Sequence, residues 1–150
     1  MSTPGTASGN VEYTAWAEPS CVAGTAASAY TLTACPINLA WLWRAEFRIP
    51  PGHAGLTGIA MVDSGQFIVP FGGQAPAWLI GDDDLLEYPY GKELGSNVAF
   101  ATYNTDTTYD HGWQVRLIYT PMSALDLDQA VIITPDVAAW LAEVDVEEGA

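Results

Sequence analysis

Two stretches of the chain alternate apolar and polar residues with a period of two. From Trp41 to Ile49 the odd positions are Trp, Trp, Ala, Phe and Ile, while Arg44, Glu46 and Arg48 hold three of the four even positions. From Trp113 to Tyr119, Trp113, Val115, Leu117 and Tyr119 alternate with Gln114, Arg116 and Ile118. Period two sends successive side chains to opposite faces, so each stretch predicts a half-buried strand, the first about 30 Å long. The core face should carry Trp41, Trp43, Phe47, Trp113, Val115 and Leu117.

Shorter runs surround these two. Val11 to Ala17, Tyr30 to Ala34, Gly58 to Asp63, Gln66 to Val69, Ala77 to Ile80, Leu85 to Tyr90, Val98 to Tyr103 and Ala130 to Ile133 read as strands, and the second long strand starts at Gly112. Pro36 ends one run, Pro50-Pro51-Gly52 forces the chain out of another, and Ser64-Gly65 and Gly72-Gly73 read as hairpin-like turns. Strands at this density, with no long helical pattern between them, predict an all-β fold: an antiparallel β-sandwich or jelly roll.

The two ends differ from this middle. Residues 1–10 are mostly Ser, Thr, Gly and Ala with no period, which predicts a flexible arm that gains order only against another chain. At the other end Thr134, Pro135 and Asp136 form a helix start, and Val137, Trp140, Leu141 and Val144 follow at helical spacing before an acidic tail. The expected organisation is an arm over 1–10, a sandwich domain over 11–133, and a short helix with an acidic tail over 134–150. A chain of 150 residues that is 49% hydrophobic is large enough for one such core.

Charge narrows the function. The formal net charge is −14, yet charged residues are only 15% of the chain, so the imbalance comes from missing bases. Salt adaptation would also be expected to raise the acid count, and Asp and Glu total an ordinary 18. Arg44, Arg48, Lys92 and Arg116 are the only bases, and residues 81–150 carry fourteen acids against two bases. A nucleic acid would meet a repulsive field with almost no counter-charge, which excludes it as a partner. No apolar run is long enough to span a membrane, and the first residues do not read as a secretory signal, so synthesis and retention in the cytoplasm are expected.

Candidate chemistry is sparse. Cys21 and Cys35 could close a loop worth roughly 3 kcal/mol if oxidised, but without an export signal two free thiols are the simpler expectation. Asp82, Asp83, Asp84 and Glu87 could gather a hard cation, but they lack the spacing of a calcium loop and read more simply as a solvated turn. Asn104, Asp106 and Asp110 read as turn-formers capping their own backbone. His53 and His111, each beside a turn, could stack or hydrogen-bond across two loops at one end of the sandwich. No nucleophile elbow, metalloprotease helix or phosphate loop accompanies them. No cofactor, metal or catalytic residue is expected.

The remaining candidates are contact residues. Arg44, Glu46, Arg48 and Arg116 fall on the polar face of the two long strands, where they either form cross-strand ion pairs or anchor an acidic surface of a second subunit. Trp16, Trp78, Tyr88 and Tyr90 are the aromatics left for the surface, as a subunit interface or a sugar platform. The candidate interface is therefore Arg44, Arg48, Arg116, Trp16, Trp78, Tyr88 and Tyr90.

Three blocks, Phe47 to Gly58 (Phe-Arg-Ile-Pro-Pro-Gly-His-Ala-Gly-Leu-Thr-Gly), Gly81 to Tyr88, and Tyr103-Asn104-Thr105-Asp106 through His111, together resemble small β-sandwich virion structural proteins of actinobacterial tailed phages. The resemblance spans about residues 40–120 and carries no catalytic residues. It implies a virion location, as a capsid decoration (cement) protein; the negative charge adds the capsid exterior, and a homotrimer bound to the major capsid protein is the expected arrangement. A jelly-roll part of the neck or tail with a carbohydrate- or receptor-binding role is the alternative.

Overall fold

The computed structural model describes residues 10–125, of which Glu12–Ala124 form one compact unit. The expected arm save Asn10, the strand over 130–133, and the helix and acidic tail over 134–150 lie outside the described residues. The unit is almost entirely β. Its strands are β1 (Tyr13–Ala17), β2 (Ser20–Cys21), β3 (Thr31–Ala34), β4 (Ala40–Ile49), β5 (Thr57–Asp63) and β6 (Gln66–Val69). They continue with β7 (Phe71–Gly73), β8 (Asp84–Leu94), β9 (Val98–Asn104), β10 (His111–Gly112) and β11 (Gln114–Pro121). Two single 3-10 turns, Ala27–Ala29 and Met122–Ala124, are the helical content among the described residues.

All pairings are antiparallel. One sheet has the order β1-β11-β4-β8, the other β3-β9-β5-β6-β7, and β2 and β10 make a small separate ribbon. Leaving out the short β2, β7 and β10, the first remaining strand pairs with the last, the second with the second-last, and so inward to the β5–β6 hairpin. That nesting, wrapped into two facing sheets, is the strand order of a jelly roll.

Leu42, Ala45, Phe47, Ile49, Val115 and Leu117 from one sheet meet Ile59, Met61, Val69, Val98 and Phe100 from the other in a single buried cluster that also takes in Trp113. Period two thus puts Phe47, Trp113, Val115 and Leu117 inside as expected. It fails for Trp41 and Trp43, which are half-buried, while Leu42 is fully buried in their stead. The cause is a bulge: along β11 the partners step from Arg44 to Leu42, so Trp43 is the extra residue and the phase of β4 flips there. The Trp43 indole N–H donates to Thr120 Oγ1 at 3.0 Å, and its ring lies 5.9 Å from that of Trp41.

Two other expectations change. Ala77–Ile80 is not a strand: only Leu79 bridges to Ile59, through N–H···O bonds of 2.8 and 3.1 Å. Gly72-Gly73, expected as a turn, belongs to the short edge strand β7. The second sheet also has an apolar outer face, where Ala60, Val62, Phe67 and Ala101 lie beneath Tyr30 and Trp78. Gly58 stands opposite Tyr103 on this face, and any Cβ there would run into the tyrosine ring, so the position requires glycine. Cys21 and Cys35 are free thiols, and burial pushes the Cys35 thiol up to about 11.

Trp113 is the largest fully buried side chain. Trp113→Ala should lower unfolding stability by about 3–5 kcal/mol, read from denaturant melts. A loss below about 1 kcal/mol would contradict the burial.

Candidate docking face

The outer side of the β1-β11-β4-β8 sheet, exposed or half-buried at most positions but buried at Ile118, gathers residues that are far apart in sequence. Because directly paired residues share a face, the register reads off whole rows. Trp16 pairs with Arg116, Arg116 with Glu46, and Glu46 with Glu87, so one row crosses all four strands. The row on one side is Gln114, Arg48 and Leu85; on the other it is Thr14, Ile118, Arg44 and Pro89.

Glu46 is the electrostatic centre. Its Oε2 accepts from Arg116 Nη2 at 2.8 Å and from Arg44 Nε at 3.4 Å, and its side chain is only 15% exposed. Directly paired Glu46 and Glu87 are like charges, an unfavourable arrangement on a sheet. Arg44 offsets it, since its Nε also lies 3.6 Å from Glu87 Oε1 and so bridges both carboxylates. Arg48 reaches Asp83 at 2.7 Å in a more exposed pair. The Arg116 guanidinium lies 5.8 Å from the Trp16 ring centroid, a cation–π contact. Trp16, 66% exposed, and Leu85, 64% exposed, flank a shallow depression of about 250 Å³ whose lining includes Arg48, Gln114 and Arg116.

The seven candidate contact residues therefore divide. Arg44, Arg48, Arg116 and Trp16 come together on this face. Tyr88 and Tyr90 are half-buried and pack on the core from the inner side. Trp78 is half-buried against Tyr30, Phe67 and Tyr103 on the outer side of the other sheet, with ring centroids 4.9–5.5 Å apart. Sequence reasoning passed over Phe71 and Tyr109, both well exposed; their signal was a large aromatic inside a Gly/Pro or acidic turn.

At one end of the sandwich the His53 and His111 rings are in contact, tilted by 42° and not stacked, with centroids 4.5 Å apart, and Trp113 meets His53 edge-on. His53 is buried. The Gly112 carbonyl can only accept, so His53 Nε2–H donates to it at 3.0 Å, and Nδ1 faces the Thr57 hydroxyl at 2.6 Å. His111 Nε2 contacts Asp106 at 2.9 Å. Both His53 nitrogens are engaged, and the ring contact with His111 brings two loops together. An open cavity of about 440 Å³ lies beside it, with Glu18, Asp110 and Gln114 in its lining.

The acidic loops behave as clips. Asp82 Oδ1 accepts from Gly52 N and Ala54 N at 2.8 and 2.9 Å, and these bonds hold its carboxyl below the usual range. Asp106 accepts from Thr108 N and Tyr109 N, while the Asn104 amide donates to the carbonyls of Cys21 and Tyr109. Among the described residues no three His, Cys, Asp or Glu side chains gather in a way that could hold a metal ion.

No family model matches the chain, and no curated protein matches it. Solved structures similar to it include a chain of the Bacillus endospore appendages, a family of disulfide-linked pili, at 10% identity and a TM-score of 0.45, covering 75% of this chain and 90% of that one. Another is a chain of the cyanophage Pam1 capsid asymmetric unit, at 15% identity and a TM-score of 0.47, covering 81% and 92% respectively.

Two outcomes follow from the geometry. Arg44→Gln should destabilise the fold by about 1 kcal/mol, and in that background Glu87→Gln should restore part of the loss because it removes the repulsion on Glu46. A double-mutant cycle with no coupling would contradict the bridging role of Arg44. Burial, followed by the charge of His111, lowers the pKa of His53 below its ordinary value near 6.5, with the Gly112 bond opposing. The unfolded chain then takes up the proton first, so this contribution to stability is present above about pH 6.5 and is lost as pH falls through the folded pKa. His53→Gln should flatten the stability profile in that window; an unchanged slope would mean His53 does not cause it.

Proposed function

We propose that this protein is a non-enzymatic structural component of a phage virion, a decoration protein that docks on the outer surface of the head and stabilises it. The observation that carries the reading is the face around Glu46. Three of the four bases of a chain of net charge −14 stand there, beside an exposed Trp and an exposed Leu. Trp and Arg are the residues favoured at protein contacts. Arg48 and Arg116 each direct one hydrogen bond, through Nη2, to a carboxylate, and a guanidinium has five N–H groups, so each keeps donors for a partner.

The partner in this reading is the major capsid protein, and the decoration protein is a homotrimer made in the host cytoplasm. Net charge supports the exterior, because a protein of charge −14 lining the lumen would face packaged DNA of the same sign. The phage-like blocks from Phe47 to His111 support the virion assignment. Docking there would act without chemistry, by burying apolar area across neighbouring capsid subunits.

A jelly roll serves capsids and carbohydrate binders alike, and the open cavity at the histidine end favours a second reading. Glu18, Asp110 and Gln114 line it with groups that accept from hydroxyls, as a tail or neck protein binding a carbohydrate or receptor would need.

Particles lacking the protein separate the two. Under the decoration reading they assemble and package DNA but release it at lower temperature or after milder osmotic shock. Particles that keep full stability yet fail to adsorb to host cells would overturn that reading and favour the second.

A further inference from the structure

The two edges of the four-stranded sheet are built differently. β8 carries Glu87, Pro89, Lys92 and Glu93 and takes a φ of 66° at Gly91. Charges, proline and a kink are the devices by which an edge strand repels another strand. β1 reads Tyr13-Thr14-Ala15-Trp16-Ala17, with neither a charge nor a proline. Trp16 and Tyr13 are exposed on it, and among the described residues it pairs through its β11 side alone. Among the described residues, its other side is therefore an unpaired row of backbone N–H and C=O groups.

We propose that β1 is a docking edge that takes one extended strand of a partner protein, uncharged over about five residues and carrying Lys or Arg at both ends. The ends follow from charge: Glu12 and Glu18 flank β1, and no base occurs in the sequence before Arg44. The same charges disfavour a second copy. An antiparallel copy of β1 centred on Ala15 would set Glu12 of one copy opposite Glu18 of the other, within chains that each carry −14. A bound strand would lie beside Trp16 and extend the outer face, with main-chain bonds supplying affinity and the flanking bases supplying orientation. β3, the corresponding edge of the facing sheet, is also uncharged, but it is shorter and lacks both the flanking acids and an aromatic side chain.

This deepens the docking reading by naming how the partner is held, and rests on it for the choice of sheet. Its test uses the purified full chain alone, so it can fail while the particle experiment succeeds, and the reverse. The peptide Lys-Thr-Val-Thr-Val-Thr-Lys is titrated in and amide exchange is followed. Exchange at Tyr13–Ala17 should slow about tenfold at saturation, Trp16 emission should shift, and the analogue with Glu at both ends should bind about tenfold more weakly. A version N-methylated at two adjacent central residues, which blocks both of its edges, should not bind.

Failure of the lysine peptide to bind, equal binding of either control, or protection appearing at Thr31–Ala34 or Asp84–Leu94 overturns the proposal. So does protection of β1 in the peptide-free monomer, which gives the edge to the chain itself. Protection that rises with self-association gives it to a second copy, with the same consequence.

Discussion

The register of β4 is the constraint on which the rest of the molecule depends. It is paired on both flanks, by β11 and β8, at the middle of its sheet. From Arg44 to Ile49 it alternates three charged residues with Ala45, Phe47 and Ile49. A slip of one residue would drive Arg44, Glu46 and Arg48 into the core and expose Phe47, which no compensating contact could offset. With β4 fixed, Val115 and Leu117 must face inward beside Phe47 and Ala45, and Arg116 must meet Glu46 outside. The core and the charged outer face are thus two consequences of one alignment.

The loops obey a different economy. Jelly-roll nesting joins strands distant in sequence, so its connections run around the ends of the sandwich and leave backbone groups that the ladders cannot satisfy. Asp82, Asn104 and Asp106 take up several of those groups, each serving a neighbouring turn. The histidine pair ties the turn after β4 to β10, just ahead of β11. Acids that give the chain its negative charge therefore also shape its loops, and the depressed carboxyl pKa values of Asp82 and Asp106 record the hydrogen bonds they accept.

The scarcity of bases gives the outer face its character. A surface guanidinium in an ordinary protein is one of many and says little. Here three of four stand within adjacent rows on one sheet, around a carboxylate that water barely reaches. Attraction within that group is modest where it is exposed, as for Arg48 and Asp83, and greater at the enclosed Glu46. The aromatic and aliphatic groups beside it are what a contacting protein would cover.

The all-β class and the positions of most strands are legible in the amino-acid pattern, along with the inward faces of β11 and the second half of β4. Period-two patterning is a local property that survives whatever the strands pair with. It also determined the split between core and charged face at Arg44, Glu46, Arg48 and Arg116, because burying those charges is prohibitive in any fold. Other features arise from how the strands pair and stack. The Trp43 bulge arises from how β4 meets β11, and Trp41 and Trp43 read locally as core residues. Ala77–Ile80 has strand-like composition, yet it makes only one bridge, at Leu79, beside Ile59. Trp78, Tyr88 and Tyr90 could be assigned to a face only once the sheets were stacked. The row from Trp16 to Glu87, like the contact between two histidines 58 positions apart, exists only through pairing between distant strands, a relation that no local pattern encodes.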